Sequence, residues 1–368
     1  MNKRINAPER FKDHPIFNEL VVGMNYGFMA KRGYYNTEYA KKQPKLMADM
    51  GVNWVTLNAN FCMDNLASTR CFLDFEYSSS ETELIEMAKR MHDAGLRIML
   101  KPCMTLLDGA WMGRVNFPSD SENTQIAGVK LEYWKKWFDS FKECTKFYAE
   151  LAEKCGIEAY LIGAEYFGTE SQNKGWSETI DVARNYYSGP ISYEFTPNSI
   201  LNKVNDLKWF NKLDFLSHSI YPPARPKNET AKLLFNPDAS KQPEQPLEAM
   251  IEYLKPQLTT MSNIMERFGN KPILFTEIGC RSARGVSMKP DDYRWSSIYD
   301  GMEQYNFMEA IFKTFTQLDN WMGLLWWKWD ETQNRPHYTT DPAGEQGFTI
   351  QGKPAEELFR QWAKGERK

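Results

Sequence analysis

Short apolar runs alternate with amphipathic stretches along almost the whole chain, beginning with Leu-Val-Val-Gly-Met-Asn-Tyr-Gly at residues 20–27. Apolar and β-branched runs of four to eight residues, bounded by turn residues, predict buried strands. Apolar positions that recur every three or four residues predict helices. On these criteria we expect eight strands, at residues 20–27, 52–61, 96–103, 157–165, 191–197, 213–223, 272–277 and 322–329.

The stretches between these strands carry the spacing and the end signals of helices. Ser80 and Glu83 form the Ser-x-x-Glu pattern of a capping box. Gly95 follows the last periodic residue of the same stretch, where a glycine ends a helix at low conformational cost. The segment 223–246 is rich in Pro, Lys and Asn and is predicted to be a loop. Comparable patterns predict helices at residues 37–50, 80–94, 131–155, 177–187, 247–268, 299–318 and 355–362.

The regular alternation of strands and helices indicates an α/β fold. Eight such units predict a (β/α)8 TIM barrel, which we expect to form a single catalytic domain over residues 1–368. A doubly wound open sheet is the alternative, and that fold usually carries a glycine-rich phosphate-binding turn after its first strand. The corresponding turn, Gly-Met-Asn-Tyr-Gly-Phe at residues 23–28, does not fit Gly-x-Gly-x-x-Gly, and the sequence contains no Walker A motif.

Composition and charge exclude several classes of partner. The net charge is −3, from 45 basic and 48 acidic residues, and no basic run predicts nucleic-acid binding. No apolar run reaches the 18 residues that a membrane span needs. The N-terminal residues lack the apolar stretch of a signal peptide, so we expect a cytoplasmic protein. The six scattered cysteines form no Cys-x-x-Cys pair and there is no His-Glu-x-x-His motif, so we expect no metal, no other cofactor and free thiols.

Two glutamates stand where predicted strands end. Glu277 follows the run Ile-Leu-Phe-Thr, and Glu165 follows Leu-Ile-Gly-Ala. An unpaired charge is rarely tolerated in a strand interior, so each glutamate either pairs structurally or is aimed at a ligand. In TIM barrels the active site lies at the carboxyl ends of the strands, and the fourth and seventh strands end on opposite sides of the barrel mouth. We therefore expect the two carboxylates to face one cleft.

A facing pair of carboxylates in an aromatic-rich chain suggests glycoside hydrolysis. The reaction needs one protonated carboxyl group to assist the leaving oxygen and one ionised carboxylate. A gap of about 5–5.5 Å between them gives a covalent intermediate and retention, and about 6.5–9.5 Å leaves room for water and gives inversion. Aromatic residues make up 14% of the chain, with 12 tryptophans, which predicts that some rings face a ligand.

Four segments carry a resemblance to a known family. They read Leu-Lys-Pro-Cys at residues 100–103, Leu-Ile-Gly-Ala-Glu at 161–165, Phe-Thr-Glu-Ile-Gly-Cys-Arg-Ser at 275–282 and Trp-Trp-Lys-Trp-Asp at 326–330. With them the chain resembles clan A of the glycoside hydrolases and, within it, family 113, the β-mannanases. The resemblance implies that Glu165 is the general acid/base and Glu277 the nucleophile. It also implies that Tyr221 holds Glu277, although a turn residue before Pro222 and Pro223 is an equal alternative.

The resemblance implies a retaining glycoside hydrolase that acts on an oligosaccharide or polysaccharide, most specifically an endo-β-1,4-mannanase. An exo-acting β-mannosidase, another clan A β-glycosidase and a non-catalytic carbohydrate-binding barrel are the alternatives. Two positions depart from the family pattern. Ala164 stands where many clan members carry Asn, and Cys103 stands where the family tends to carry His. Both departures affect which groups meet the sugar hydroxyls.

Further polar and aromatic residues at predicted strand ends are candidates for substrate binding. Short amides suit sugar hydroxyls, but Asn also suits turns. Lys101 either binds a hydroxyl or forms a buried pair with a neighbouring carboxylate. His218 is either a site residue or a core residue, and Arg281 either pairs with Glu277 or lies at the surface. The candidate substrate-binding residues are Asn25, Tyr26, Asn60, Lys101, Trp111, His218, Tyr221, Arg281 and Trp327.

Several tryptophans are candidate stacking platforms for sugar rings. Trp111 and Trp176 are predicted to lie in loops after the third and fourth strands. Trp326 and Trp327 are adjacent, so side-chain alternation along a strand allows only one of them to point inward. Trp329 is a further candidate close to the end of the last strand.

Overall fold

The computed structural model of the protein describes residues 17–120, 125–126, 129–201, 206–226, 244–293, 298–330 and 346–367. Eight strands close into a barrel in which each strand lies between its neighbours in sequence, with β8 beside β1. The predicted (β/α)8 barrel is thereby confirmed, and the doubly wound alternative is wrong. The strands are β1 (Val21–Tyr26), β2 (Trp54–Met63), β3 (Arg97–Leu106), β4 (Ala159–Ala164), β5 (Ile191–Phe195), β6 (Leu216–Ser219), β7 (Ile273–Ile278) and β8 (Trp321–Trp326).

Helices connect the barrel strands, and a short antiparallel pair, Gln125–Ile126 with Val129–Lys130, lies in the β3–β4 connection. The predicted capping box is present at α2, where Ser80 Oγ accepts from the backbone N–H of Glu83 and Glu83 accepts from that of Ser80. The helices are α1 (Glu38–Met50), α2 (Glu81–Asp93), α3 (Tyr133–Cys155), α4 (Asn173–Tyr186), α5 (Pro197–Leu201), α6 (Leu247–Leu254), α7 (Pro256–Arg267), α8 (Gly301–Phe315) and α9 (Pro354–Ala363).

The predicted helix at residues 247–268 and the predicted sixth strand differ from the structure. The single helix expected at residues 247–268 is two helices, α6 and α7, which meet at Lys255 and Pro256. Proline has no backbone N–H and fixes its own φ, so it suits the first turn of a new helix better than the interior of a long one. The sixth strand, expected at residues 213–223, is only Leu216–Ser219, so Tyr221 lies just beyond it. Most of the predicted loop 223–246 lies outside the described residues.

The described residues fall into two compact units, each with its own aromatic core. The first unit comprises Met1–Tyr26, Lys45–Thr56 and His218–Lys368. In it, Trp362 of α9 stacks on Phe312 of α8 with ring centroids 4.6 Å apart. Such stacked aromatic pairs add about 0.5–1.5 kcal/mol beyond the burial of their area.

The second unit comprises Gly27–Pro44 and Leu57–Ser217. In it, Trp176 of α4 stacks on Trp209 at 4.7 Å, and Trp137 stacks on Phe141 within α3 at 4.8 Å. Every tryptophan among the described residues of both units is buried except Trp111. The high aromatic content therefore mainly fills the interior, and the expectation that some rings face a ligand stays a prediction. No helix in the described part of the chain is long and apolar enough to cross a membrane.

Candidate active site

Glu277 lies near the end of β7 and is half-buried, whereas the other residues of that strand are buried. The hydroxyl of Tyr221 donates a hydrogen bond of 2.7 Å to Oε1 of Glu277. The backbone N–H of Ile220 donates to the carbonyl of Glu277 at 2.8 Å, which brings the chain after β6 alongside β7. The phenol of Tyr221 is therefore held at one oxygen of the Glu277 carboxylate. Tyr221 makes the contact that the sequence predicted, while its role stays a prediction.

Glu165 is the first residue after β4, and it is half-buried. Its φ of +60° places it in the left-handed region, which non-glycine residues seldom occupy. Such a conformation costs of order 1–3 kcal/mol and persists only where the surroundings impose it. One constraint is the hydrogen bond of 2.8 Å from the Glu165 N–H to the carbonyl of Glu194. Trp111 Nε1 lies 3.3 Å from Glu165 Oε2 and donates to it.

Lys101 of β3 and Glu194 of β5 form an ion pair in the second unit. The ammonium nitrogen lies 2.7 Å from Oε1 and 2.9 Å from Oε2 of the carboxylate. The exposed fractions of the two side chains are 2% and 0%. This is the buried pair that the sequence left open as the alternative to a sugar contact by Lys101. Because the carbonyl of Glu194 holds the N–H of Glu165, the pair supports the backbone at the candidate acid/base.

Two predicted substrate-binding amides make hydrogen bonds within the fold, and a substrate contact by either stays a prediction. Asn25 is buried and donates to the carbonyls of Thr276 and Leu325, at 2.9 and 3.2 Å, while its Oδ1 accepts from Thr56 at 2.6 Å. These bonds use both amide protons and the amide oxygen. Asn60 is also buried, and its Nδ2 donates to the carbonyls of two surrounding loops, those of Ala30 and Tyr77.

Tyr26 and His218 are buried in the first unit. Tyr26 ends β1 and has no exposed surface. The imidazole of His218 packs edge-on against Phe275, with ring centroids 6.2 Å apart. This surrounding matches the core alternative for His218, and a substrate contact by either residue stays a prediction.

Arg281 is buried, so the surface alternative for this residue is wrong. Its Nε donates to the carbonyl of Gln346 at 2.6 Å, and one terminal nitrogen donates to that of Tyr293 at 2.7 Å. These bonds join the chain after β7 to two later segments. The Arg281 guanidinium therefore binds backbone carbonyls of these segments, and its predicted ion pair with Glu277 stays a prediction.

The tryptophans at the end of β8 divide as side-chain alternation predicts. Trp326 is buried and donates through Nε1 to the carbonyl of Phe348 at 3.0 Å, so it is the core member of the adjacent pair. Trp327 retains 8% exposure and lies beside the ammonium group of Lys328, which is 5.9 Å from its ring centroid. Trp329, two residues further on, is 2% exposed. Stacking of a sugar on Trp327 stays a prediction.

Trp111 lies in a loop as predicted, whereas Trp176 does not. Trp176 lies within α4, fully buried against other rings, so its predicted place in a loop was wrong. Trp111 lies in the predicted loop and is 40% exposed. Cys103, the departure from the family pattern on β3, is buried with Sγ 3.4 Å from Oδ1 of Asn58, and it therefore contacts an amide of β2.

One buried acid was missed by reasoning from the sequence. Glu170 accepts hydrogen bonds from Tyr193 and Ser199, both 2.8 Å long and both to Oε1. Burial raises the pKa of the Glu170 carboxyl to about 7, against the lowering effect of these two hydroxyl donors. Glu170 lies in a turn with no strand-end signal, so nothing in its local pattern distinguishes it from a surface glutamate.

Within the described residues, no group of three or more His, Cys, Asp or Glu side chains could hold a metal ion. The six cysteines are free, and five of them are buried. At the two strand-end glutamates, Tyr221 donates a hydrogen bond to Glu277 and Trp111 donates one to Glu165.

The chain matches Glycoside Hydrolase Family 113 over residues 24–353. No curated protein matches it. Among solved structures, a family 113 β-mannanase from Alicyclobacillus acidocaldarius in complex with ManMIm has a TM-score of 0.76 at 24% identity, over 96% of this chain and 100% of that chain. Another family 113 β-1,4-mannanase structure has a TM-score of 0.75 at 24% identity, over 94% and 99%.

More distant structures share the barrel within larger proteins. A Ruminococcus gnavus β-glucuronidase has a TM-score of 0.57 at 13% identity, over 95% of this chain but 50% of that chain. These structural likenesses show the fold, and the family match covers most of the sequence. The chain belongs to Glycoside Hydrolase Family 113 and is a glycoside hydrolase.

Proposed function

We propose that the protein is a retaining endo-β-1,4-mannanase in which Glu165 is the general acid/base and Glu277 is the nucleophile. Membership of family 113 supports the substrate class, because the family 113 structures that it matches are described as β-mannanases. The strand-end positions of both glutamates support the roles, since active sites of TIM barrels lie at the carboxyl ends of the strands.

In the first step of this mechanism, the ionised carboxylate of Glu277 attacks the anomeric carbon and forms a glycosyl ester. Glu165 donates its proton to the departing glycosidic oxygen in the same step. In the second step, Glu165 takes a proton from water, and that water attacks the anomeric carbon and releases Glu277. The two carboxyl groups therefore need different proton affinities at the start of the cycle.

The observation that carries the assignment of roles is the hydrogen bond from Tyr221 to Glu277. A phenol O–H that donates to a carboxylate fixes the direction of its oxygens, and a nucleophile must be held in such a fixed orientation toward the carbon that it attacks. Glu165 has a weaker donor, the indole N–H of Trp111, at the longer distance of 3.3 Å. The more strongly supported carboxylate is thus the proposed nucleophile.

The roles are tested with Glu277→Ala and Glu165→Ala on manno-oligosaccharides, with Glu178→Ala on the exposed face of α4 as the control. Both site variants should lose most activity, and the control should keep it. Azide, used with a 2,4-dinitrophenyl β-mannobioside whose leaving group needs no proton, then separates the roles. It attacks the anomeric carbon in place of the missing Glu277 carboxylate in one variant and in place of water in the other. Glu277→Ala should give the α-glycosyl azide, and Glu165→Ala the β-glycosyl azide. Wild-type activity in either site variant, or the reverse pair of products, would refute the assignment.

Stereochemistry and product profile test the rest of the proposal. NMR of the first product formed should show the β anomer, because two inversions give retention. An endo enzyme should lower the viscosity of mannan early and release oligosaccharides of mixed length. Release of single mannose units from one chain end would favour the β-mannosidase alternative, and binding without turnover would favour a non-catalytic barrel.

A further inference from the structure

Trp111 is an exposed ring with a fixed position. It lies in the connection after β3, and 40% of its surface is open. Gly113 lies directly under the indole, since a Cβ added there would come within 2.4 Å of two carbons of its six-membered ring. No side chain other than hydrogen leaves room for this packing. The ring therefore rests on the backbone of Gly113, and its outer face remains open.

The turn that follows Glu165 packs against the same loop. Gly168 belongs to the short helical turn Phe167–Thr169, and a Cβ added to it would lie 2.3 Å from the carbonyl oxygen of Val115. The two backbones thus approach as closely as glycine permits. The segment that carries Glu165 and the loop that carries Trp111 are consequently packed as one piece.

Tyr166 adds a third link between these segments. It directly follows Glu165, and its hydroxyl accepts from the N–H of Met104 at 3.0 Å and lies 3.3 Å from the carbonyl of Pro102, to which it donates. Tyr166 is buried, so these bonds to β3 are shielded from water. The segment that carries Glu165 is therefore joined both to β3 and to the loop that carries Trp111.

This arrangement matters for acid catalysis. A carboxyl group transfers its proton efficiently only when its oxygen is aimed at the leaving atom. Trp111 donates to Oε2 of Glu165, so it fixes the direction of the carboxyl plane. The open face of the same indole can take the C–H face of a pyranose, and a ring beside the acid lies on the side of the leaving group.

From this geometry we infer that Trp111 is a positioning residue for the acid carboxyl and the platform for the leaving-group sugar, and that Gly113 and Gly168 set its place. The inference rests on the proposed acid/base role of Glu165. The same indole would bind the leaving-group sugar and align the Glu165 carboxyl. The enzyme should therefore be selective for substrates whose leaving group is itself a sugar.

The test compares two substrates whose leaving groups differ in their need for a proton from Glu165. A manno-oligosaccharide needs acid assistance and carries a sugar on the leaving side. A 2,4-dinitrophenyl β-mannobioside has a leaving group that departs without a proton. Trp111→Phe keeps an aromatic face and removes the N–H donor. It should lower kcat on the oligosaccharide by about tenfold, the low end for a hydrogen bond to a charged group. On the aryl substrate it should lower kcat/KM, which reports only formation of the glycosyl ester, by less than about twofold.

Trp111→Ala removes both the donor and the platform. It should lower kcat on the oligosaccharide as Trp111→Phe does and also raise KM, because the leaving-side sugar loses its contact. Tyr186→Ala, an exposed aromatic residue on α4, is the matched control and should change neither substrate. A loss of kcat/KM on the aryl substrate as large as the loss on the oligosaccharide, or no loss on the oligosaccharide, would overturn the inference.

A double-mutant cycle tests whether Gly113 sets the position of the Trp111 ring. Gly113→Ala should displace the indole and reduce oligosaccharide turnover, and the reduction should disappear in the Trp111→Ala background, where no ring remains to be displaced. Thermal unfolding of each variant separates this result from misfolding. Additive losses would contradict the role of Gly113.

Failure of the acid/base assignment is recognised separately. Glu165→Ala should itself spare the aryl substrate in the glycosylation step. If Glu165→Ala lowers kcat/KM equally on both substrates, the proposed function fails. If Glu165→Ala behaves as expected and Trp111→Phe does not, only the present inference fails.

Discussion

Tyr221 and Glu277 are joined by a hydrogen bond of 2.7 Å between the phenol and Oε1 of the carboxylate. A second bond, of 2.8 Å, joins the backbone N–H of the neighbouring Ile220 to the carbonyl of Glu277. The backbone bond fixes the chain next to Tyr221, so the hydroxyl has little freedom to turn away. A fixed donor costs no reorganisation when the carboxylate begins to react, which is the property that an active site needs.

Removal of this donor should slow the reaction without unfolding the protein. Tyr221→Phe keeps the ring and loses only the hydroxyl. Because hydrogen bonds to charged groups contribute about 1.5–3 kcal/mol, we expect kcat/KM on manno-oligosaccharides to fall by about 10- to 150-fold. Steady-state kinetics measures the loss, and Tyr253→Phe on the exposed side of α6 is the matched control. A kcat/KM within about twofold of the wild type would show that the hydroxyl has no part in catalysis.

The ion pair of Lys101 and Glu194 should matter more for stability than any surface pair. Lys101→Met leaves the Glu194 carboxylate buried without the ammonium group, and loss of one partner of a buried pair typically costs about 3–5 kcal/mol. Lys135→Met removes a pair with Asp139 whose side chains are 61% and 49% exposed, and should cost less than about 1 kcal/mol. Urea unfolding measures both free energies. Similar values for the two variants would contradict a structural role for the buried pair.

The fold could be predicted because its signals are local and repeated. Each apolar run, and each periodic stretch that follows it, marks one βα unit, and the unit recurs eight times. Element ends were less predictable. Helix α4 begins at Asn173, four residues before the predicted start, and Gln172 makes no capping hydrogen bond with its side chain. Without a capping residue to mark the start, Trp176 was assigned to a loop.

Individual site residues depend on partners that are remote in sequence. The strand-end rule identified Glu165 and Glu277 because it concerns position alone. The same rule also selected Asn25, whose amide is used by Thr276 and Leu325, residues 251 and 300 positions away. Nothing near Asn25 in the sequence reveals these carbonyls. Strand-end position therefore predicts which residues face the rim of a barrel, but not whether their polar atoms are free for a ligand.

The contact between His92 and Glu158 should make stability depend on pH. His92 Nε2 lies 3.2 Å from Oε2 of Glu158, and this hydrogen bond raises the pKa of the imidazole above its ordinary value, against the opposing effect of burial. The stabilisation is thus fully present below the unfolded pKa of about 6.5 and is lost as the pH rises through the raised folded value. His92→Gln should be less stable than the wild type at pH 5.5, with the difference shrinking by pH 8.5.

Urea unfolding at the two pH values measures this difference for His92. Lys89→Gln, on the same helix but in an exposed pair with Asp93, is the control and should show no comparable change with pH. A gap between wild type and His92→Gln that widens toward pH 8.5 would show that the neutral imidazole is the stabilising form.

The buried carboxyl of Glu170 should also make the protein less stable as the pH rises. Its pKa is about 7 in the folded protein because burial disfavours the carboxylate, whereas an unfolded chain has a value near 4.5. Between these values the folded state binds one more proton than the unfolded state, so the free energy of unfolding falls as the pH rises through this window. The full loss is about 3 kcal/mol, since one pKa unit corresponds to about 1.4 kcal/mol.

Glu170→Gln tests this, because a glutamine can still accept from Tyr193 and Ser199 through its amide oxygen but carries no charge. In the described part of the chain, Oε2 of Glu170 is buried and has no hydrogen-bond partner, which leaves the ionised form poorly compensated. The variant should gain stability relative to the wild type as the pH rises from 5 to 8, measured by urea unfolding, with Glu178→Gln as the exposed control. A constant difference across that range would mean that Glu170 is ionised throughout and that its hydroxyl donors outweigh its burial.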